Sequence, residues 1–275
     1  MAIQLVLQII VLVLLFIQQA SAQNASVAKP GCKEKCGDVT ISYPFGIGTG
    51  CSAEKRFKIH CDTTFNPPKP FLSYSNLEVL NISVRKGTIH VNNLVLKDCT
   101  NESKIEQVIS FDHPFDYSIT ENRFTALGCD SLAFITQNGL NIGGCTPFCN
   151  NTAKENSCVG INCCQITIPP VFNQFNTSII KSTKSGDSGP QCRYAFIADK
   201  NWFGNLTDIY SVQHMEKVPA LLDWKKFLPC SDQLCSKNAG CRDFEGTRTW
   251  FFCSCYPGFA GNPYLPDGCQ GTNLQ

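Results

Sequence analysis

The chain has 275 residues, a formal net charge of only +1 and 18 cysteines. A charge this close to zero argues against a nucleic-acid-binding protein, because such proteins present many cations to the phosphates. A large and even number of cysteines is typical of an exported protein whose thiols are oxidised in pairs. A chain of this length predicts two or three small domains rather than one large core.

The first 22 residues have the pattern of a secretory signal peptide. An apolar run from Leu5 to Ile17, interrupted only by Gln8, is followed by the small residues Ala20-Ser21-Ala22. This order predicts cleavage, with the mature chain beginning near Gln23. No Lys or Arg precedes the run, and an uncleaved membrane anchor is the alternative. The run is shorter than the roughly 20 residues that span a bilayer, so we expect a secreted chain that nothing holds in a membrane.

Six Asn-x-Ser/Thr sequons agree with export. None has proline at its middle position, and each predicts a glycosylated asparagine at the surface. The six asparagines are Asn24, Asn81, Asn101, Asn150, Asn176 and Asn205.

Strand patterns dominate the region between Cys32 and Cys192. Residues 77–84 and 88–91, joined by Arg85-Lys86-Gly87, predict a β-hairpin with a basic tip. Residues 166–168 and 194–198 are further strand candidates.

Two other segments differ from this strand pattern. Residues 181–190 are rich in Ser, Lys and Gly and predict an exposed loop. Residues 218–227 are the one helical candidate.

The last six cysteines occupy only 40 residues, with four, five, eleven, one and thirteen residues between successive cysteines. So short a segment cannot bury enough apolar surface to fold alone, and cross-links must restrict the unfolded chain. The spacing alone leaves 15 connectivities open. The spacing and the segment Cys253-Ser-Cys255-Tyr-Pro-Gly-Phe resemble an EGF-like module. That resemblance implies the bridges Cys230–Cys241, Cys235–Cys253 and Cys255–Cys269.

Motifs along the mature chain resemble one family. They are Cys36-Gly-Asp-Val-Thr-Ile-Ser-Tyr-Pro-Phe-Gly, Asn122-Arg-Phe-Thr-Ala-Leu-Gly-Cys129, Cys158-Val-Gly-Ile-Asn-Cys163-Cys164 and Gly261-Asn-Pro-Tyr-Leu-Pro-Asp-Gly-Cys269. This set resembles the extracellular region of plant wall-associated receptor kinases. The resemblance implies an all-β, disulfide-rich fold with a galacturonan-binding domain over residues 32–135. A cysteine-rich segment over 143–229 and an EGF-like module over 230–269 would follow.

The same resemblance implies binding of cell-wall pectin or oligogalacturonides, without catalysis and without a cofactor. Family members usually continue into a transmembrane helix and a serine/threonine kinase, but this sequence has no Gly-rich phosphate loop, no H-R-D and no D-F-G. We therefore expect a chain that is not an enzyme and that is a secreted cell-wall protein, a decoy or a truncated product of a receptor gene, with a plasma-membrane location only for longer relatives. The alternative function is a protein- or peptide-binding ectodomain that acts through the EGF-like module.

Galacturonan carries a carboxylate on each sugar, so its binder needs cations along a surface, with arginine able to grip a carboxylate through two hydrogen bonds. The competing interpretation is that such cations are ordinary solvated charges. Tyr43 and Phe45 are candidates for stacking on sugar rings, but a Y-P-F-G segment favours a turn whose aromatic side chains enter the core. The candidate cations are Lys33, Lys35, Lys55, Arg56, Lys58, Arg85 and Lys86.

A serine protease is an alternative that fails on detail. Gly186-Asp-Ser188-Gly resembles a nucleophile segment, and His60 with Asp98 or Asp112 would complete a triad in the right chain order. Pro190 replaces the glycine that such a segment needs next, and a flexible loop is a poor place to preorganise an oxyanion hole.

Metal sites are also disfavoured. Cys145, Cys149 and the adjacent pair Cys163-Cys164 have spacings like those of zinc ligands, but an exported chain converts such thiols to disulfides. Adjacent cysteines do not easily bond to each other, so Cys163 and Cys164 should have different partners. Phe227-Leu-Pro before Cys230 lacks the acidic residues that calcium needs.

Overall fold

The computed structural model describes residues 27–99, 104–110, 115–128, 131–148, 158–169, 174–181, 192–224, 235–243 and 251–272. Within these ranges the chain is mostly β-strand, and seven disulfide bonds join described cysteines. The predicted all-β, disulfide-rich class is confirmed.

The described strands are short and follow one another with few helical residues between them. In this part of the chain one helix, α1 (Lys200–Gly204), and two 3₁₀ turns, Lys55–Phe57 and Ile209–His214, interrupt them. The strands are β1 (Lys35–Cys36), β2 (Val39–Thr40), β3 (Gly46–Ile47), β4 (Lys58–Asp62), β5 (Lys69–Leu72), β6 (Val79–Ser83), β7 (Thr88–Leu94), β8 (Leu96–Asp98), β9 (Lys104–Ser110), β10 (Asp116–Tyr117), β11 (Asn122–Leu127), β12 (Ser131–Gln137), β13 (Leu140–Cys145), β14 (Cys163–Thr167), β15 (Gln174–Lys181), β16 (Arg193–Asp199), β17 (Lys217–Asp223), β18 (Ala239–Asp243), β19 (Phe251–Cys255), β20 (Phe259–Gly261) and β21 (Cys269–Gly271).

Strands that are distant in sequence share the larger sheets. The described strands form three four-stranded sheets, with the orders β10-β17-β7-β6, β14-β11-β16-β8 and β13-β12-β15-β9, and the three-stranded sheet β3-β4-β5. β17 pairs with β7 over seven residues, and β16 pairs with β11 over six. Residues 32–135 and 143–229 therefore contribute strands to the same sheets and fold around shared cores.

The basic hairpin predicted from the sequence is confirmed. β6 and β7 pair antiparallel, and Arg85 and Lys86 lie in the turn between them. Gly87 has φ +65°, a conformation that glycine adopts without steric cost. The strand candidates at 166–168 and 194–198 fall on β14, which ends at Thr167, and within β16. Of the predicted loop at 181–190, residue 181 ends β15 and the others lie outside the described residues.

The helix predicted for residues 218–227 is wrong over its described part, most of which belongs to β17. Val218, Ala220, Leu221 and Leu222 are all buried, so both faces of this strand are covered. A continuous apolar run does not distinguish a buried strand from a buried helix, and pairing with β7 decides the outcome here. Pro219 is tolerated because β10 pairs only with the last two residues of β17.

A buried aromatic cluster occupies the centre of the larger core. Phe45, Phe57 and Trp224 are completely buried, and their ring centroids lie 5.2–6.0 Å apart at nearly perpendicular angles. Phe115 completes the cluster, 6.1 Å from Phe45 and 5.9 Å from Phe57. Edge-to-face contacts of this kind stabilise a core beyond the area that they bury.

The disulfide bonds cross-link neighbouring strands and loops. The adjacent cysteines do have different partners, because Cys163 bonds to Cys158 and Cys164 bonds to Cys145. In the C-terminal module the observed bridges are Cys235–Cys253 and Cys255–Cys269, the same pairs that the EGF-like resemblance implies. Cys241 is also disulfide-bonded, and Cys230 lies outside the described residues.

The C-terminal module packs against the N-terminal segment through one buried asparagine. Asn262 Nδ2 donates to the carbonyl oxygens of Val27, at 3.2 Å, and Tyr43, at 2.7 Å. Asn262 Oδ1 accepts from the backbone N–H of Tyr264, whose ring lies 5.9 Å from Trp224. The module therefore contacts both the Tyr43 turn and the aromatic cluster.

A buried ion pair joins β8 to β16. Arg193 Nη1 lies 2.9 Å from Asp98 Oδ2, and the two side chains are only 9% and 1% exposed. The Cys99–Cys192 bridge lies beside this pair. Asp98 therefore holds two strands together and does not pair with His60 as a protease triad would require. Asp112 and Ser188 lie outside the described residues.

We expect Asp98→Ala to reduce the free energy of unfolding by about 3–5 kcal/mol, because it leaves the Arg193 guanidinium buried without its partner. The control is Glu121→Ala, which removes an exposed ion pair with Lys200 and should cost no more than about 1 kcal/mol. Denaturant unfolding measures both values. Equal losses for the two variants would contradict a structural role for the buried pair.

Candidate cationic binding surface

The 3₁₀ turn Lys55–Phe57 and the residue after it present three of the candidate cations. Phe57 is completely buried in the aromatic cluster, whereas Lys55, Arg56 and Lys58 are exposed. The turn ends where Lys58 begins β4, and the Lys58 N–H donates to the Lys55 carbonyl. Burial of one side chain thus fixes the backbone from which its charged neighbours extend into solvent.

Two disulfide bonds attach the segment with Lys33 and Lys35 to this region. Cys32 bonds to Cys51, four residues before Lys55 in the chain, and Cys36 bonds to Cys61 on β4. Both lysines are exposed. The bridges therefore hold these lysines on the same part of the molecule as β4.

The hairpin tip is held by the same aromatic cluster as the 3₁₀ turn. The Gly87 carbonyl accepts a 3.0 Å hydrogen bond from the backbone N–H of Trp224, and the Trp224 ring lies 6.0 Å from that of Phe57. Arg85 and Lys86 precede Gly87 and are exposed. The two basic segments are therefore distant in the chain, with β4, β5 and β6 between them, but both are held by the same aromatic cluster.

Six of the seven candidate cations make no ion pair with a described carboxylate. The ion pairs between described residues use other basic side chains. An exposed cation without a carboxylate partner can bind an external anion without first breaking an internal contact. The six are Lys33, Lys35, Lys55, Arg56, Lys58 and Lys86.

The two aromatic residues of the Y-P-F-G segment both contact other parts of the protein. Phe45 lies in the aromatic cluster, as the core interpretation predicts. Tyr43 is half-buried, burial raises its pKa, and Lys29 Nζ lies 5.1 Å from its ring centroid. One face of the Tyr43 ring is thus occupied by a side chain of the same protein.

Sequence reasoning missed an aromatic pair beside β4. Phe65 is 43% exposed, its ring lies 6.2 Å from that of Phe71, and Lys69 Nζ lies 5.1 Å from its centroid. Phe71 pairs with His60 across β4 and β5. The prolines around this segment hide the strand pattern, so only the pairing shows that the rings lie next to the cationic strand.

Lys69 is held by a largely buried carboxylate. Its Nζ lies 2.8 Å from Glu78 Oε1, and Asn92 Nδ2 donates to Glu78 Oε2 at 2.8 Å. Burial alone would raise the pKa of Glu78, but the hydrogen bonds from Lys69 and Asn92 outweigh it and lower the pKa below its ordinary value. Lys69 therefore supports the fold beside the surface, and we do not count it among the candidate cations.

The lowered pKa of Glu78 predicts a contribution to acid stability. The folded protein binds fewer protons at this site than the unfolded chain, so the contribution is complete above the unfolded pKa of about 4.3 and is lost as the pH falls through the folded value. We expect Glu78→Gln to make the free energy of unfolding less dependent on pH below about pH 5. Glu54→Gln, at an exposed carboxylate, is the control, and an unchanged pH dependence in the Glu78 variant would contradict the prediction.

Three of the four cysteines whose spacing resembles that of zinc ligands form disulfide bonds. Cys145, Cys163 and Cys164 are in disulfide bonds and are not available to a metal ion, and Cys149 lies outside the described residues. The described residues contain no group of three or more His, Cys, Asp or Glu side chains that could hold a metal ion.

Two family models match the chain. The model described as wall-associated receptor kinase galacturonan-binding matches residues 32–93, and the wall-associated kinase model matches residues 155–225. The chain belongs to the wall-associated receptor kinase family. The first match contains all seven candidate cations, and the second contains Trp224 of the aromatic cluster.

Curated relatives from Arabidopsis thaliana agree with these matches. Wall-associated receptor kinase 5 is 32% identical over 262 residues, which cover 88% of this chain and 34% of the relative. Wall-associated receptor kinase 2 is 29% identical over 259 residues, with the same two coverages. The chain thus spans about a third of the length of these relatives, and no solved structure matches it. Among the described residues, no helix is long and apolar enough to cross a membrane.

Proposed function

We propose that this chain binds galacturonan, the acidic polysaccharide of pectin, at the extracellular side of the cell and without chemical turnover of the sugar. The observation that carries the proposal is that the galacturonan-binding match over residues 32–93 contains all seven exposed candidate cations. In longer members of the family, this binding would be the input to the kinase.

The chemistry of the ligand suits a rigid cationic surface. Each galacturonate offers one carboxylate, which Arg56 or Arg85 can grip through two hydrogen bonds and which a lysine binds as a point charge. The backbone of both basic segments is held in place by the aromatic cluster around Phe57 and Trp224. A fixed backbone reduces the ordering cost of binding, so several weak exposed contacts can add up to useful affinity.

Charge reversal tests the surface directly. Lys55→Glu, Arg56→Glu and Lys58→Glu combined should lower the affinity for de-esterified oligogalacturonides by about 100-fold, since an exposed charge contact contributes up to about 1 kcal/mol. Calorimetry measures the affinity. An unchanged affinity would place the site elsewhere.

The matched control combines Lys97→Glu, Lys217→Glu and Lys237→Glu. These three lysines are exposed and lie outside the matched residues 32–93, so the control changes the net charge equally at other places. We expect the control to retain most of the affinity. Equal losses of affinity in the two variants would show that only the net charge of the protein matters.

Esterification and salt test the charge mechanism. Fully methylesterified oligogalacturonides lack the carboxylates and should not bind, and binding of the de-esterified form should weaken steeply as the salt concentration rises. Equal affinity for the two forms would contradict the proposal.

A protein or peptide ligand of the C-terminal module is the second candidate. Tyr256 and Phe259 are 50% and 36% exposed there, and exposed aromatic side chains are frequent in protein interfaces. Such binding should persist at high salt and should be lost in a Tyr256→Ala variant, while the charge-reversal variant keeps it.

A further inference from the structure

The sheet β13-β12-β15-β9 has a polar groove that the proposed function does not use. A cavity of about 490 Å³ lies there, and most of its lining is polar. Asn176 and Ser178 of β15 lie on one face of the strand, because side chains two residues apart point the same way. The polar lining consists of Lys104, Glu106, Thr136, Gln137, Asn138, Asn141 and Asn176.

Asn176 occupies the middle of this face. It pairs with Val108 on β9 and with Thr136 on β12. Val108 is 61% exposed and Leu132, on the same face of β12, is 41% exposed. The sheet face that carries Asn176 is therefore open to solvent at these positions.

We propose that Asn176 carries an N-linked glycan whose first sugar lies in this groove. Asn176-Thr177-Ser178 is a sequon, so a glycan attached to Asn176 would lie where it can fill the cavity. The two other described sequon asparagines, Asn81 and Asn205, are exposed and do not line the cavity.

The hydrogen bonds of Asn176 are compatible with modification. Its Nδ2 donates to Glu106 Oε1 at 2.9 Å, and Ser178 Oγ lies 3.2 Å from the same oxygen. Lys104 Nζ lies 3.3 Å from Glu106 Oε2 and holds the carboxylate in place. A carboxamide nitrogen has two hydrogens, so one can remain bonded to Glu106 while a sugar replaces the other.

The covalent step uses a lipid-linked oligosaccharide diphosphate as donor. The bond between sugar C1 and the phosphate oxygen breaks, a bond between C1 and Nδ2 forms, and the lipid diphosphate leaves with the proton that Nδ2 loses. Because β15 pairs with a strand on each side, this step precedes formation of the sheet. The sheet then closes with the sugar on the groove side.

The lining matches the chemistry of the first sugar, N-acetylglucosamine, which is neutral and carries hydroxyl groups and an acetamide. Within the described part of the chain, the side chains of Thr136, Asn138 and Asn141 make no hydrogen bond, so their donors and acceptors are available to it. Phe134 contributes to the apolar part of the lining.

Enzymatic release of the glycans tests the proposal. In protein secreted from eukaryotic cells, glycopeptide mass spectrometry should find Asn176 modified. Under native conditions, peptide-N-glycosidase should release its glycan at least about tenfold more slowly than that of Asn205, and the difference should vanish after unfolding. An unmodified Asn176, or equal native release rates, would overturn the proposal.

A groove variant separates contact with the sugar from shielding by the strands. Thr136→Ala with Asn141→Ala keeps the sequon and the sheet, but removes polar contacts from the groove. We expect faster native release at Asn176 and unchanged release at Asn205, which serves as the control in the same molecule. If release at Asn176 does not change, the glycan does not lie in the groove.

Discussion

The rings of Phe57 and Trp224 lie 6.0 Å apart in the main core and bring together two distant parts of the chain, since Phe57 precedes β4 and Trp224 follows β17. Phe45 and Phe115 pack against the same rings, and Tyr264 brings the C-terminal module to them. The cationic turn and the basic hairpin are both held by this pair. The geometry of the candidate binding surface therefore follows from core packing rather than from contacts between surface side chains.

Buried polar side chains reinforce this arrangement. Asn122 Nδ2 donates to the carbonyl oxygens of Ser118 and Leu221, and its Oδ1 accepts from the Leu221 N–H. Asn93 accepts from the Tyr117 hydroxyl and donates to the Ile197 carbonyl. Each of these groups loses water on burial and regains hydrogen bonds only when strands from distant parts of the chain are in register, so they favour one topology over others.

The sequence correctly predicted the features that depend on residues close to each other in the chain. The basic hairpin followed from its turn residues, and the different partners of Cys163 and Cys164 followed from the geometry of adjacent cysteines. The helix predicted over β17 failed because an apolar run carries no information about the strand beside it. The contact of Phe65 with Phe71 beside β4 was missed for a related reason, since proline-rich residues show no strand periodicity.

Residue types and their spacing were enough to establish the class of the protein and its family resemblance, and they predicted the candidate cations and the sequons. Only the folded chain shows which of these residues are held by the same core residues. Strand pairing and core packing bring together residues that are far apart in sequence. Thus Lys86 and Arg56 are connected through Gly87, Trp224 and Phe57. Asn176 is distinguished from Asn205 by the groove around it. The distances between these side chains are set by pairing between strands that are far apart in sequence. A local sequence pattern does not show which strand will be the neighbour.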